Sequence, residues 1–375
     1  MTRAHSRQEE RNLLRRFWKS ASGFWRGPSA WWVWPLTAFL FVTVVLQLLV
    51  QYWMNYWNRD FFNAIQERNT AAVWMQAKIF LPLLAASIAV AMISIWGRMT
   101  MQRQWRQWLS KRLYDYWLTG DHVEHLKSMA SEAQTPEYRI AEDARVATEA
   151  PVDLVLGLFT SIITAGTFIG VLWTIGDVLA VQVLGSNLVI PRYLVIAVIA
   201  NSIMLATVTL VVGRNFENII EGKNQAEAQL RSAGSHVGET GGRADGRSEI
   251  VKALNQVIAR WRDICWQFVR LTFVSQTNLV LTPVIALLLC MPKYLQGSLT
   301  LGEVVQASAA FGIVQGAFNW IQDNFGRIAD WTSSANRVAS LLFALDEVDG
   351  QSAGGGSPPA PRSGTIARHR EGDRP

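Results

Sequence analysis

The chain has 375 residues, half of them apolar, only 17% charged, with a formal net charge of +6. Mean hydropathy is positive, whereas ordinary globular domains carry about 25% charged residues. Seventeen Trp point to a membrane–water boundary. These figures exclude a soluble enzyme and identify a polytopic membrane protein.

Residues 1–30 space Leu14, Phe17, Trp18, Ala21, Phe24 and Trp25 three to four apart, with Arg11, Arg15, Arg16 and Lys19 between them. That pattern predicts an amphipathic helix on the inner membrane face. Six apolar blocks follow at 31–53, 79–96, 152–174, 193–212, 268–289 and 301–322, near the about 20 residues that cross a bilayer core. Polar residues interrupt the last two. The segment before the first block holds seven Lys and Arg, the second and fourth connections hold eight each, and the tail holds six. The other connections hold three, one and one. This bias places the basic segments and both termini in the cytoplasm, and the net charge needs no nucleic acid to explain it.

The expected outer loops are short, about 25, 18 and 11 residues, while both inner connections exceed fifty. Trp105, Trp108, Leu109, Leu113 and Trp117 form a helical stripe running out of the second span. Val251, Leu254, Ile258, Trp261, Cys265 and Phe268 do the same into the fifth. Both stripes are expected to be buried, because Trp-rich faces left in water are costly. Cys265 and Cys290 fall at different depths and form no disulfide framework. The organisation is then an arm (1–30), an all-α membrane domain (31–346) and a disordered Gly/Ser/Pro-rich tail (347–375).

Six spans with long inner helical extensions and short outer loops resemble the transmembrane half of an exporter-type ABC transporter. The run Trp57-Asn58-Arg59-Asp60-Phe61-Phe62-Asn63-Ala64-Ile65-Gln66 looks like the segment following the first span in the ABCD-like bacterial branch, which includes the SbmA/BacA peptide importers. Thr135-Pro136-Glu137-Tyr138-Arg139-Ile140-Ala141-Glu142-Asp143 is similar to that branch's first cytoplasmic motif, with Pro136, Arg139, Ile140 and Asp143 kept. Phe318-Asn319-Trp320, Arg327-Ile328-Ala329-Asp330-Trp331 and Ala335-Asn336-Arg337-Val338-Ala339 complete the likeness.

The resemblance implies coupling helices that seat on nucleotide-binding domains, one in the segment of Pro136, Arg139, Ile140 and Asp143 and a second between Arg214 and Lys252. It also implies a homodimer in the bacterial inner membrane. Two departures stand out. Five Gly between 234 and 246 replace an acidic helical motif and are expected to break the helix there. No phosphate-cradling G-x-x-x-x-G-K-[ST] loop occurs, since the one Lys that follows a Gly, Lys223, fails at Glu217 and Asn224. The chain is therefore expected to be no enzyme itself and to hold no cofactor, with ATP engaged only by a partner nucleotide-binding domain.

Thr43, Gln47, Gln51, Asn55 and Arg59 recur every four residues on one face of the first span, as Gln315, Asn319 and Asp323 do in the sixth. Polar groups in a span face other helices or a wet cavity. Interhelical hydrogen bonding and a cavity-lining role for Gln47, Gln51, Asn55, Gln315 and Asn319 are both open at this point. Neutral amides suit a polar, peptide-like solute. His122 and His125 have metal-like spacing, but two His on a solvated turn are ordinary, and no metal site or catalytic set is assigned. The leading function is the permease component of an ABC-type transporter. The alternatives are a proton-coupled SbmA/BacA-like importer and a truncated, non-transporting remnant of a fused transporter.

Overall fold

The computed structural model describes residues 21–27, 30–118, 139–183, 186–240 and 244–354. Eight α-helices lie among them: α1 (Gly23–Arg26), α2 (Ala30–Gln66), α3 (Thr70–Trp117), α4 (Ala144–Ile175), α5 (Tyr193–Gly213), α6 (Phe216–Thr240), α7 (Ala244–Leu295) and α8 (Leu301–Gly354). A π-helical turn, Arg139–Asp143, leads into α4. The expected all-α architecture gains a small exception, an antiparallel hairpin of β1 (Val178–Val183) and β2 (Ser186–Pro191) that pairs Val178 with Pro191 and Val183 with Ser186.

Five helical stretches, spanning α2, α3, α4, α5 and α7, are long and apolar enough to cross a membrane. The sixth expected block forms the first part of α8, whose composition stands apart for a physical reason. Val304, Gln306, Ala307, Ala310, Phe311, Val314 and Gln315 are all buried, so this helix meets protein over much of its surface and can carry amides.

The described residues fall into two compact units. One comprises 31–102 and 150–329. A core there joins Phe168 and Leu172 of α4, Leu194 and Val198 of α5, Ala286 and Cys290 of α7 and Ala307, Phe311 and Val314 of α8. Only residues 67–69 separate α2 from α3, because α2 runs to Gln66 and α3 starts at Thr70. Trp57 fastens this helical hairpin by donating to the Gln76 carbonyl at 2.9 Å and stacking on Phe61. Asn63 and Gln66 then accept hydrogen bonds from the backbone N–H groups of Gly302 (2.9 Å) and Leu301 (2.7 Å) at the start of α8, meeting donors a helix start leaves orphaned. A side chain at position 302 would collide with the Arg59 carbonyl and Asn63, so only Gly permits this crossing.

α6 and α7 pack on each other within the same unit. The glycine-rich segment 234–246 does hold a helix end, since α6 stops at Thr240 and α7 starts at Ala244, but α6 runs on past Gly234 and Gly238. A mid-helix Gly costs only about 1 kcal/mol relative to Ala, and the alanines Ala226 and Ala233 are buried along the face of α6. The buried face of α7 is Ala253, Val257, Ile264 and Gln267, while Val251, Leu254, Ile258, Trp261, Cys265 and Phe268 are exposed. Small residues allow close helix approach, so the larger apolar stripe lies outside.

The second unit takes in, among the described residues, 21–27, 30, 103–118, 139–149 and 330–354. Here Trp105, Leu109, Leu113 and Trp117 are buried as the stripe requires, with Trp108 half-buried beside them. Phe24 and Trp25 lie against Trp105, with ring centroids 6.3 and 4.9 Å away. The described end of the arm thus covers protein with its aromatic face. Helix α8 continues to Gly354, past the expected boundary at 346; the tail from 355 lies outside the described residues.

Candidate functional site

A cavity of about 610 Å³ opens among α2, α3, α4 and α8. Helix α2 presents Gln47, Gln51, Asn55 and Asn58 to it, with the apolar Val44 and Leu48 between turns. α3 adds Ser87, Ser94 and Arg98; α4 adds Asp153, Gly157, Thr160, Ser161 and Thr164. The α4 positions recur at steps of three and four, so they share one helix face. α8 supplies Ala309, Ile313 and Trp320. Gly157 is required here, since an added Cβ would sit 2.6 Å from Trp320 Nε1.

Charge gathers at one end. Asp153 accepts from Gln102 at 2.9 Å on Oδ1 and from Arg327 at 2.7 Å on Oδ2, while Arg98 stands 3.6 Å away. The cluster ties α3, α4 and α8 together. Further along, Asn55 is 2% exposed; its Nδ2 donates to the Gln306 carbonyl at 3.2 Å, and its Oδ1 has no partner among the described residues.

Gln47, Gln51 and Asn55 therefore stand on the cavity wall, whereas Gln315 and Asn319 do not. Gln315 Oε1 accepts from Asn201 at 2.9 Å and Ser202 at 3.0 Å, and its Nε2 donates to Asn319 at 3.1 Å. Asn201 also reaches Asn278 at 3.3 Å. These amides join α5, α7 and α8 as interhelical hydrogen bonds. Sequence reasoning missed Arg98 and the polar face of α4, although the spacing of Asp153, Thr160, Ser161 and Thr164 carried the signal.

Of the expected coupling segment, Pro136 lies outside the described residues, as do His122 and His125. Arg139 opens the π-helical turn, and Ile140 is fully buried. Asp143, 2% exposed, receives Arg337 through Nε at 2.9 Å and Nη2 at 2.7 Å. Ser333 and Ser334 brace that guanidinium. A bidentate, buried pair of this kind is geometrically demanding, and it locks the end of the motif to α8.

The pattern of long helices around a polar cavity agrees with a match of residues 29–294 to the model of ABC transporter transmembrane region 2. The chain belongs to that family. It is 22% identical to the inner membrane ABC transporter ATP-binding protein YddA of Escherichia coli (strain K12), over 80% of this chain and 56% of the relative. It is 24% identical to an uncharacterized ABC transporter ATP-binding protein, sll0182, of Synechocystis, over 76% and 42%. The chloroplastic ABC transporter D family member 2 of Arabidopsis thaliana is 19% identical over 90% and 47%. The chain thus spans about half the length of the curated relatives it matches, and the part it shares with the family is the membrane region.

Proposed function

We propose that this chain is the permease component of an ATP-driven transporter of the ABCD-like branch, with the α2/α3/α4/α8 cavity as its solute path. The observation that carries the reading is a half-open cavity with polar groups on its walls, set among helices of an ABC transmembrane region. Polar walls inside membrane helices are expensive unless water or solute uses them. The solute is polar and peptide-like in its hydrogen bonding, matched to Gln47, Gln51 and Asn55. The start of α8 is the sixth span, both termini are cytoplasmic, and the membrane is the bacterial inner membrane. ATP is hydrolysed by nucleotide-binding domains outside these 375 residues, which seat on the segment around Ile140 and Asp143; the chain is not itself the enzyme.

The working unit is a homodimer. Ile258, Trp261 and Phe268 are exposed along one stripe of α7, apolar surface of the kind that marks association. A proton-coupled importer of the SbmA/BacA type is the second reading, favoured by the carboxylate of Asp153 on the cavity wall.

The two readings separate without knowing the solute. A cysteine at Ser161, in a Cys265→Ser background, reports cavity access through its labelling rate by a hydrophilic maleimide in native membrane vesicles. ATP, magnesium and vanadate should change that rate severalfold, and an uncoupler should not. A rate that responds only to collapse of the proton gradient establishes the second reading, and a rate indifferent to both favours a non-transporting chain.

A further inference from the structure

We infer that the cavity selects anions: it takes a polar organic solute whose carboxylate or phosphate sits at the Arg98 end, with the amides of α2 holding the remainder. The inference rests on the reading of this cavity as the solute path and deepens it.

Charge is the first observation. Only two of the residues lining the cavity are charged, Arg98 and Asp153. Asp153 is already engaged by Arg327 at 2.7 Å and Gln102 at 2.9 Å, which leaves Arg98 at 3.6 Å, beyond direct hydrogen-bond length. Two guanidinium groups thus share one carboxylate, an excess of one positive charge. Arg98 is the one of the pair that lines the cavity, with its side chain 39% exposed. A guanidinium presents a planar fork suited to carboxylate and phosphate, and low-dielectric walls extend the reach of its field.

Shape is the second. The lining runs from Val44 to Asn58 on α2, about 21 Å at a rise of 1.5 Å per residue. The lining is long enough for one solute to meet the α2 amides and Arg98 together. Cations have nothing comparable to bind, because the one carboxylate is occupied.

The test uses the full chain in nanodiscs, with Cys265→Ser as background. Ser94→Cys places a thiol one helical turn from Arg98, with Cβ atoms about 5–6 Å apart. Ser87→Cys places another about 16 Å away along the same helix. Each is reacted with the anionic sulfonatoethyl and the cationic trimethylammonioethyl methanethiosulfonates, and rates are normalised to those of free 2-mercaptoethanol. The normalised anion-to-cation ratio at Ser94→Cys should be at least about tenfold, given one unit charge at this distance in a partly desolvated site. It should collapse in Arg98→Gln, survive in Arg98→Lys, and be smaller at Ser87→Cys. A ratio near one, a preference for the cation, or a ratio unmoved by Arg98→Gln overturns anion selection while leaving the cavity as a solute path. If neither cysteine reacts with either reagent, the cavity is closed to water, and the solute-path reading falls together with this one.

Discussion

Two polar sites in the same compact unit look alike in sequence and differ in structure. Around Gln315, amides and hydroxyls from three helices close on one another: Asn201 and Ser202 donate to it, and it donates to Asn319. Along the cavity, Gln47, Gln51 and Asn55 line open volume, and Asn55 keeps an unmet acceptor. Both sets recur every four residues, so periodicity cannot separate them. What separates them is whether the hydrogen-bonding capacity is spent within the chain. A satisfied network holds helices together; the cavity side chains face open volume instead.

Substitutions should expose that difference. Replacing Gln315 with Leu strands its partners Asn201, Ser202 and Asn319, and the protein should lose about 3 kcal/mol, read as a lower midpoint of thermal unfolding in detergent. Asp153→Asn removes the counter-charge shared by Arg98 and Arg327. Because Arg327 is half-exposed, screening should hold the stability loss to about 1 kcal/mol, while labelling at Ser94→Cys accelerates as the helix ends part. Gln51→Leu should leave stability within about 0.5 kcal/mol, as a side chain outside any satisfied network would, yet slow hydrophilic labelling at Ser161→Cys. Equal destabilisation by Gln315→Leu and Gln51→Leu would erase the distinction between the two sites.

Much of the membrane domain was legible because its signals are local. Trp105, Leu109, Leu113 and Trp117 repeat every four residues and are buried, since a single helix face is read directly from spacing. The first five apolar blocks became helices for the same reason. The stripe at Val251, Leu254, Ile258 and Trp261 repeats as clearly and yet is exposed. Its periodicity marked an apolar face, but could not show that Ala253 and Val257 on the other side are the ones buried. Glycines at 234 and 238 failed to break α6 because tertiary packing outweighs a cost of about 1 kcal/mol each. The β1/β2 hairpin went unseen because Val178–Val183 is a short apolar run beside an apolar helix, where strand and helix signals coincide. In the cavity, the α2 amides were visible and Arg98 was not, because a lone Arg at a span end reads as a topology signal. Its role depends on how Arg327, distant in sequence, shares Asp153.

The central claim is that the α2/α3/α4/α8 cavity is wet and the α5/α7/α8 amide node is dry. Nitroxide labels at Ser161→Cys and Ser202→Cys, in the Cys265→Ser background in nanodiscs prepared in D₂O, report this through the depth of deuterium modulation in electron spin echoes. Deep modulation at 161 and shallow modulation at 202 is the expected result. Equal depths, or a deeper signal at 202, would contradict it.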